Sequence, residues 1–333
     1  MIVSSLIVSG FGLTKFNLYR NMPHLLEIAS TMIFLLGPLF YFYVKVLTQK
    51  DFILSVKMYL HFTPFLLLLI YLIPFYIQDA ETKLLTFSSD SFSLQHRIII
   101  VIQIVHVFIY MYFIKKLINQ HVQKIKNSMS SIEKINLKWI KTGINVFTSI
   151  FGIIAVFLFM LFIGIKIHPI YSAFIPSAVS FTIISMGFIG LKQPIIFPPE
   201  SVLSQTEKYK KSTLTDEQAN QHLEALRDLM KNNKLYLRSD LTLQKLAENL
   251  SITPHFLSQI INEKTNQNFF DFINSYRVEE AKQLLASPRG QQLTILAIGE
   301  EAGFNSKSSF NSAFKKHSGM TPTQFRQTVT SNN

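Results

Sequence analysis

The sequence predicts an all-α chain in two unlike parts: a polytopic transmembrane helical domain, then a cytoplasmic all-α domain built from a doubled helix-turn-helix. Three observations carry this. Charge is unevenly spread along the 333 residues, long stretches of the first part hold no charged side chain, and a short cap-helix-turn-helix pattern occurs twice near the end.

An apolar share of 48% is ordinary for a globular protein, but its distribution is not. Residues 1–199 hold 6 acidic side chains against 16 lysines and arginines, whereas 200–333 hold 14 against 16. The net +12 is therefore +10 in the first part and +2 in the second. Because the basic excess sits in the apolar part, membrane topology explains it, and any case for nucleic-acid binding must rest on motifs. The absence of cysteine excludes disulfides, thiol catalysis and Cys-based zinc sites. The N-terminus lacks a basic n-region and is followed by more apolar segments, so it does not read as a cleaved signal peptide.

Five uncharged stretches, 28–44, 58–78, 98–114, 142–165 and 167–191, anchor spans predicted at 28–48, 57–78, 97–118, 142–165 and 169–191, within a transmembrane domain of residues 1–199. A bilayer core of about 30 Å needs roughly 17–25 helical residues, and all five fit. Residues 1–13 form a sixth, weaker candidate, short and interrupted by Gly10 and Gly12, as if a longer span had been shortened at its start.

Lysine and arginine in short loops set the orientation. Between the spans at 97–118 and 142–165 lie Lys115, Lys116, Lys124, Lys126, Lys134, Lys138 and Lys141, and the loop around 45–57 carries Lys45, Lys50 and Lys57. The opposing loops are poorer: Lys15 with Arg20, Lys83 with Arg97, and Lys166 in a tight turn ending at Pro169. The lysine-rich side is cytoplasmic, and counting onward places the C-terminal domain there too. Those lysines could also meet anionic lipid head groups, although topology alone explains them.

Gly37-Pro38, Pro64, Pro74 and Pro176 fall inside spans and predict kinked helices. Polar residues expected inside this domain are few: His61, Gln103, His106 and Asn145. They could form a ligand pocket or proton-sensitive site; interhelical hydrogen bonding is the simpler reading.

Residues 200–239 read as a linker with one helix. The exit from Lys192 to Pro199 has Pro194, Pro198 and Pro199, which block a helix, and a polar stretch follows. Thr215 then has the position of an N-cap, with Gln218 completing a capping box, and a helix over 216–231 shows Leu223, Leu226 and Met230 on one face. Either simple packing or a coupling role fits that face.

Residues 240–330 repeat themselves. Thr242-Leu243-Gln244-Lys245-Leu246-Ala247 aligns with Thr294-Ile295-Leu296-Ala297-Ile298-Gly299, each a Thr cap before apolar residues at spacings of three and four. Each helix ends in a turn, near Ser251 and at Gly303, and a second capped helix follows: Thr253 before Pro254 in one copy, Asn305 or Ser306 in the other. Leu257 and Ile261 correspond to Phe310 and Phe314. Two short helices around a tight turn are the helix-turn-helix pattern, whose second helix enters the major groove.

The apolar stripe decides which residues face outward. In the first copy Phe256, Leu257, Ile260 and Ile261 point in, leaving His255, Ser258, Gln259 and Asn262 outward. In the second, Phe310, Ala313 and Phe314 point in, leaving Lys307, Ser308, Asn311, Ser312 and Lys315 outward. Gln and Asn can bond adenine in two places, Lys can reach guanine, and Ser is permissive, so these faces suit base reading of double-stranded DNA. Lys315 and Lys316, near the helix end, are better placed for phosphate. A helix from Phe269 to Ala286, stopped by Ser287-Pro288-Arg289-Gly290, joins the copies. At 1.5 Å per residue it is about 27 Å long, near the roughly 34 Å repeat of the major groove, so one chain can read two half-sites.

Residues 294–326 resemble the AraC/XylS family of transcription regulators, through Gly303-Phe304, Ser309-Phe310, Phe314-Lys315, Gly319-Met320-Thr321-Pro322 and Phe325-Arg326; so do residues 241–262. The resemblance implies a DNA-binding regulator whose reading positions fall on the outward residues above. Two positions depart from it. Gly299 stands where the family usually has Ala, which should loosen that helix by up to about 1 kcal/mol, and Ser251 stands where Gly is usual. The membrane part is similar to a subgroup common in Bacteroidetes-type bacteria, with a multi-span sensor ahead of the DNA-binding domain; Gly37-Pro38 and Lys192-Gln193-Pro194 carry that likeness. The subgroup often has one more span, which again implies a shortened N-terminus.

The expected partners are promoter DNA and the bilayer, with a second copy of the chain and an unidentified ligand or protein also compatible. No cofactor or metal is called for. A transporter or membrane enzyme with a regulatory tail is the alternative, opposed by the scarcity of intramembrane charge and the lack of H-E-x-x-H, G-x-S-x-G or P-loop motifs. A third reading makes the doubled motif a protein-interaction module on a membrane scaffold; its intact polar faces oppose that.

Overall fold

A computed structural model describes residues 2–49, 52–53, 55–90, 94–133, 135–162 and 215–331, with isolated positions at 178, 181–182, 184–185 and 188. Two compact units emerge. One comprises Met1–Asn119 with Leu137–Ile196, the other Gln120–Asn136 with Phe197–Asn333. Among the described residues the chain is helical, with no strand beyond a single isolated bridge. Apart from the isolated positions, the predicted span at 169–191 lies outside the described residues, as do the turn at 166–169, the end of the span at 142–165, Pro176 and the segment 192–212.

The first unit holds α1 (Ile2–Lys15), α2 (Ile28–Thr48), α3 (Thr63–Tyr76, entered through a 3-10 stretch at Val56–Phe62), α4 (Ala80–Asp90), most of α5 (Leu94–Lys126), and α6 (Lys138–Phe162). Among the described residues, four helices are long and apolar enough to cross a membrane: Pro23–Thr48, Val56–Tyr76, Leu94–Lys126 and Lys138–Phe157. They coincide with the first four predicted spans. Large apolar side chains point away from the unit, among them Leu67, Ile70, Val101, Val105, Val156 and Phe159, each more than half exposed. Outward faces this apolar are unusual for a helix surrounded by water. The weak segment at 1–13 is α1, and it runs unbroken through Gly10 and Gly12, contrary to the expected interruption; Gly10 instead lies where an added Cβ would sit 2.1 Å from that of Ala29.

Two of the predicted kink sites have milder positions. Pro64 is in the first turn of α3, where its missing N–H costs no hydrogen bond, and Pro74 is in the last turn; Pro38 alone lies deep in its helix. The loop at 79–97 contains the unpredicted α4. Lys83 on it is 2% exposed, its Nζ 2.7 Å from His24 Nδ1 and 2.9 Å from the Tyr76 carbonyl.

The second unit begins with α7 (Asp216–Asp228), closed at its start by the expected capping box: Gln218 N–H donates to Thr215 Oγ1 at 3.3 Å and Thr215 N–H to Gln218 Oε1 at 3.2 Å. A π-helical turn, Leu229–Asn233, continues it. Then come α8 (Leu243–Asn249), α9 (Pro254–Thr265), α10 (Phe269–Ala286), α11 (Pro288–Gln292), α12 (Ile295–Glu301), α13 (Lys307–Ser318) and α14 (Pro322–Ser331). Both ends of α10 fall where the sequence put them. Its stop signal also starts the one-turn α11, because Ser287 Oγ accepts the Gly290 amide at 3.0 Å.

Two apolar cores form, and α10 serves both. Leu223, Leu226 and Met230 of the α7 region pack with Leu246, Leu257, Ile260, Ile261, Phe269 and Ile273. Val278, Ala281 and Leu285, further along α10, pack with Ile298, Phe304, Phe310 and Phe314. The helix before the first copy is therefore a packing element of that copy. Its Leu223-Leu226-Met230 face is spent on the core.

Candidate nucleic-acid interface

Each copy is built by the same local chemistry. A β-region Thr caps the first helix: Thr242 Oγ1 accepts from Lys245 N–H and Thr294 Oγ1 from Ala297 N–H. A second cap starts the outward helix: Thr253 Oγ1 accepts from Phe256 N–H, and Ser306 Oγ from Ser309 N–H. Each cap satisfies an amide that a helix start leaves orphaned. Of the two caps the sequence allowed for α13, the structure uses Ser306.

The turns need a left-handed residue. Gly303 supplies φ +88°, and an added Cβ there would meet the Leu237 carbonyl oxygen at 2.7 Å, so glycine is required twice over. Ser251 adopts φ 54° without that freedom, at a cost of about 1 kcal/mol. Gly299 is explained by its neighbour: a Cβ there would lie 2.7 Å from Phe310 Cδ1, so the glycine admits the buried ring.

The outward residues differ between the copies. On α13, Lys307, Ser308, Ser312 and Lys315 are exposed and Asn311 is half-buried. Neither Lys307 nor Lys315 forms an ion pair with a described residue. Lys316, expected at phosphate, has its Nζ 2.7 Å from Asp271 Oδ1, so it must leave that pair to meet DNA. On α9, Asn262 is exposed while His255, Ser258 and Gln259 are half-buried. Asn262 Nδ2 donates to Ser258 Oγ at 3.3 Å, and Gln259 Nε2 to Glu263 Oε1 at 3.0 Å. His255 packs its ring on Phe256, centroids 6.1 Å apart. The nearest lysine, Lys264, bonds Asp216 at 2.5 Å. The second copy thus offers unpaired positive charge, and the first a polar face whose groups already bond one another.

Sequence reasoning missed Arg277 altogether. It sits on α10 between the two cores and is 1% exposed. Among the described residues no carboxylate forms an ion pair with it. Its Nε donates to the Tyr236 carbonyl at 2.7 Å, Nη1 to the Ser130 carbonyl at 3.0 Å and Asn274 Oδ1 at 3.3 Å, and Nη2 to the Arg238 carbonyl at 2.9 Å and Ser130 Oγ at 3.2 Å. Burial pushes this guanidinium down to about 10, partly offset by the Glu133 carboxylate. Beside it, burial raises the Tyr236 hydroxyl, and the hydrogen bond it donates to Glu280 raises it further. No sequence pattern marks a buried arginine held by backbone carbonyls.

In the first unit the expected polar residues divide. His61 Nδ1 is 2.6 Å from the Tyr110 hydroxyl, and the His106 ring lies 4.8 Å from the Tyr110 ring, centroid to centroid, so Tyr110 joins the two histidines in one aromatic cluster with Phe34, Tyr41 and Phe42. Both ring nitrogens of His106 are buried without a hydrogen-bond partner among the described residues. Gln103 is buried elsewhere, its Nε2 donating to the Ser30 carbonyl at 2.9 Å. Asn145, expected among the interior polar groups, is exposed on α6: helical phase turns it outward, and the apolar residues Ile144 and Phe147 take the buried side.

Residues 246–328 match the family model described as a helix-turn-helix domain. The chain is 33% identical over 89 residues to the uncharacterized HTH-type transcriptional regulator YtdP of Bacillus subtilis, covering 27% of this chain and 11% of that protein. It is 29% identical over 94 residues to the Msm operon regulatory protein of Streptococcus mutans, covering 28% of this chain and 33% of the relative. Among solved structures, the C-terminal domain of AraT, a response regulator from Geobacillus stearothermophilus, is 32% identical, covering 35% of this chain and 88% of that one, with a TM-score of 0.28. The match to these two relatives spans a tenth to a third of their length, and the family model falls in the C-terminal part of this chain. That part is a helix-turn-helix domain.

Proposed function

We propose that the chain is a sequence-specific DNA-binding transcription regulator of the AraC/XylS type, tethered to a bacterial inner membrane by its N-terminal half, with the doubled helix-turn-helix in the cytoplasm. The observation that carries the reading is the repeat itself: two capped outward helices, α9 and α13, each packed on its own core and joined by α10. Lys307, Ser308, Asn311, Ser312 and Lys315 would read one half-site, and His255, Ser258, Gln259 and Asn262 the other. The two exposed lysines supply phosphate or guanine contacts. To read adenine with Gln259 or Asn262, the first copy must exchange its internal side-chain hydrogen bonds for bonds to bases.

Tethering is supported by four helices of spanning length, by their outward apolar side chains, and by the lysines clustered in alternate loops. A membrane or extracytoplasmic signal would act through this half, with the His61–Tyr110–His106 cluster as the first place to probe for a sensing site. A single chain already carries two readers, so dimerisation is compatible but not needed.

The test uses the full-length chain in lipid nanodiscs to select fragments from the host genome. Discrete fragments should be enriched, with affinity falling linearly on a log-log plot against salt as counterions are released. Failure to enrich any fragment even at low salt refutes the reading.

A further inference from the structure

By sequence, the connection between α5 and α6 is only a lysine-rich loop. In the structure, Gln120–Asn136 belongs to the same unit as the helix-turn-helix copies. We propose that this loop is an integral part of the DNA reader, and that Ser130, Arg277 and Asn305 are positioning residues that fix its two recognition helices relative to each other. The DNA-reading role in this inference rests on the function proposed above; the docking of the loop does not.

Four consecutive residues, Ser128 to Ser131, reach three separate parts of the reader. At the entrance to the first copy, Met129 forms an antiparallel bridge with Thr242, the Ser128 carbonyl accepts the Leu243 amide at 3.0 Å, and Ser130 N–H donates to the Leu241 carbonyl at 3.3 Å. Leu243 is the first residue of α8, so the loop satisfies an amide that the helix start leaves open. At the middle of α10, the Ser130 carbonyl and hydroxyl take two of the bonds Arg277 donates. At the entrance to the second recognition helix, Asn305 Nδ2 donates to Ser131 Oγ at 2.8 Å, one residue before the α13 cap.

The placement matters because the two copies do not share a core. Leu257 and Ile261 belong to one cluster, Phe310 and Phe314 to the other. They are linked by α10, by this polar junction and by the close approach of the Gly303 turn to the Leu237 carbonyl. Arg277 completes the junction, its guanidinium lying 5.7 Å from the centre of the Phe304 ring in the second copy's turn. Ser130 and Arg277 are each 1% exposed, so their bonds are closed to water and geometrically demanding, while the Asn305–Ser131 bond lies at the exposed rim. The loop is also covalently continuous with α5 and α6, both long and apolar enough to cross a membrane. A shift of either helix therefore pulls on the contact that orients the recognition helices, and this gives the membrane half a route to the DNA-reading faces.

Two measurements on the full-length chain test this. The chain has no cysteine, so Ser131→Cys with Asn305→Cys gives a background-free cross-link. Mild oxidation in native membranes should join the pair within one polypeptide; no cross-link, or one found only between two polypeptides, overturns the docking. In nanodiscs, Ser130→Ala with Ser131→Ala should weaken binding to a selected fragment bearing both half-sites about tenfold, the equivalent of one hydrogen bond to a charged group. Binding to a fragment cut to one half-site should stay unchanged. Equal losses on both fragments, as from general destabilisation, or no loss on either, overturn the positioning role. A cross-link in a chain whose parent binds no DNA refutes the proposed function and the positioning role with it, while the docking stands.

Discussion

Gly299→Ala sets two known effects against each other. Replacing a helical glycine with alanine favours the helix by about 1 kcal/mol. Against that, the new Cβ would lie 2.7 Å from Phe310 Cδ1 and 2.9 Å from Cγ. Carbon atoms attract best at about 3.5–4.0 Å, so the ring must retreat by nearly 1 Å. It has nowhere to go: Phe310 is fully buried, with the Phe304 ring 5.2 Å away and the Phe314 ring 5.6 Å away. Overpacking of this kind costs about 1–3 kcal/mol. The sum is a destabilisation of about 1 kcal/mol. The only tryptophan, Trp139, is in the other unit, so fluorescence would not report the change. Pulse proteolysis of the C-terminal half in urea, on the full chain, would. Adding Phe310→Leu should make the alanine harmless or favourable, giving a coupling of about 1 kcal/mol or more between the positions. If Gly299→Ala alone stabilises the unit by the full propensity gain, the steric reasoning is wrong.

The other predictions concern charge. Lys315→Ala should weaken DNA binding almost uniformly across sequences and lower the salt slope by about 1, whereas Lys316→Ala, starting from its pair with Asp271, should lower it less; titrations at several salt concentrations decide. Arg277→Met should cost about 3 kcal/mol or more, because the Tyr236, Arg238 and Ser130 carbonyls lose a buried donor; Arg277→Lys, which can serve some of them, should cost less in the same urea assay. Burial holds the imidazole of His317 below the usual 6.5, aided by Lys316. The unfolded chain therefore takes up protons first. The second unit should keep full stability above pH 6.5 and lose it as the pH falls below, and His317→Gln should flatten that loss. A urea midpoint that rises on acidification would contradict the sign.

Local chemistry was legible in the sequence. The caps at Thr215, Thr242, Thr253 and Thr294 and both ends of α10 involve neighbours three or four residues apart, and residue type alone signals them. Long uncharged stretches and an apolar stripe are equally local, so the four helices long and apolar enough to cross a membrane and the inward faces of α9 and α13 could be read off. Facing across helices could not. His61 and His106 meet through Tyr110 because of how α5 packs against its neighbours, and Asn145 turns outward because of how α6 does. The junction at Arg277 lay furthest from reach. Ser130 bonds a carbonyl 111 residues away, and Asn305 a hydroxyl 174 residues away, with no charge complement or repeat to signal either. The ion pair of Lys316 is hidden for the same reason: its partner Asp271 lies at the start of another helix. Gly299 reads from sequence as a weak point in its helix; its reason is the Phe310 ring packed against it.

The most direct measurement is to cross-link cells expressing the tagged full-length chain, isolate sealed membranes, and sequence the DNA that co-purifies with the tag. A few discrete genomic sites recovered from the membrane fraction are the expected result. Recovery of the chain in the soluble fraction, or membranes carrying the chain with no site above background, would contradict a DNA reader held at the bilayer.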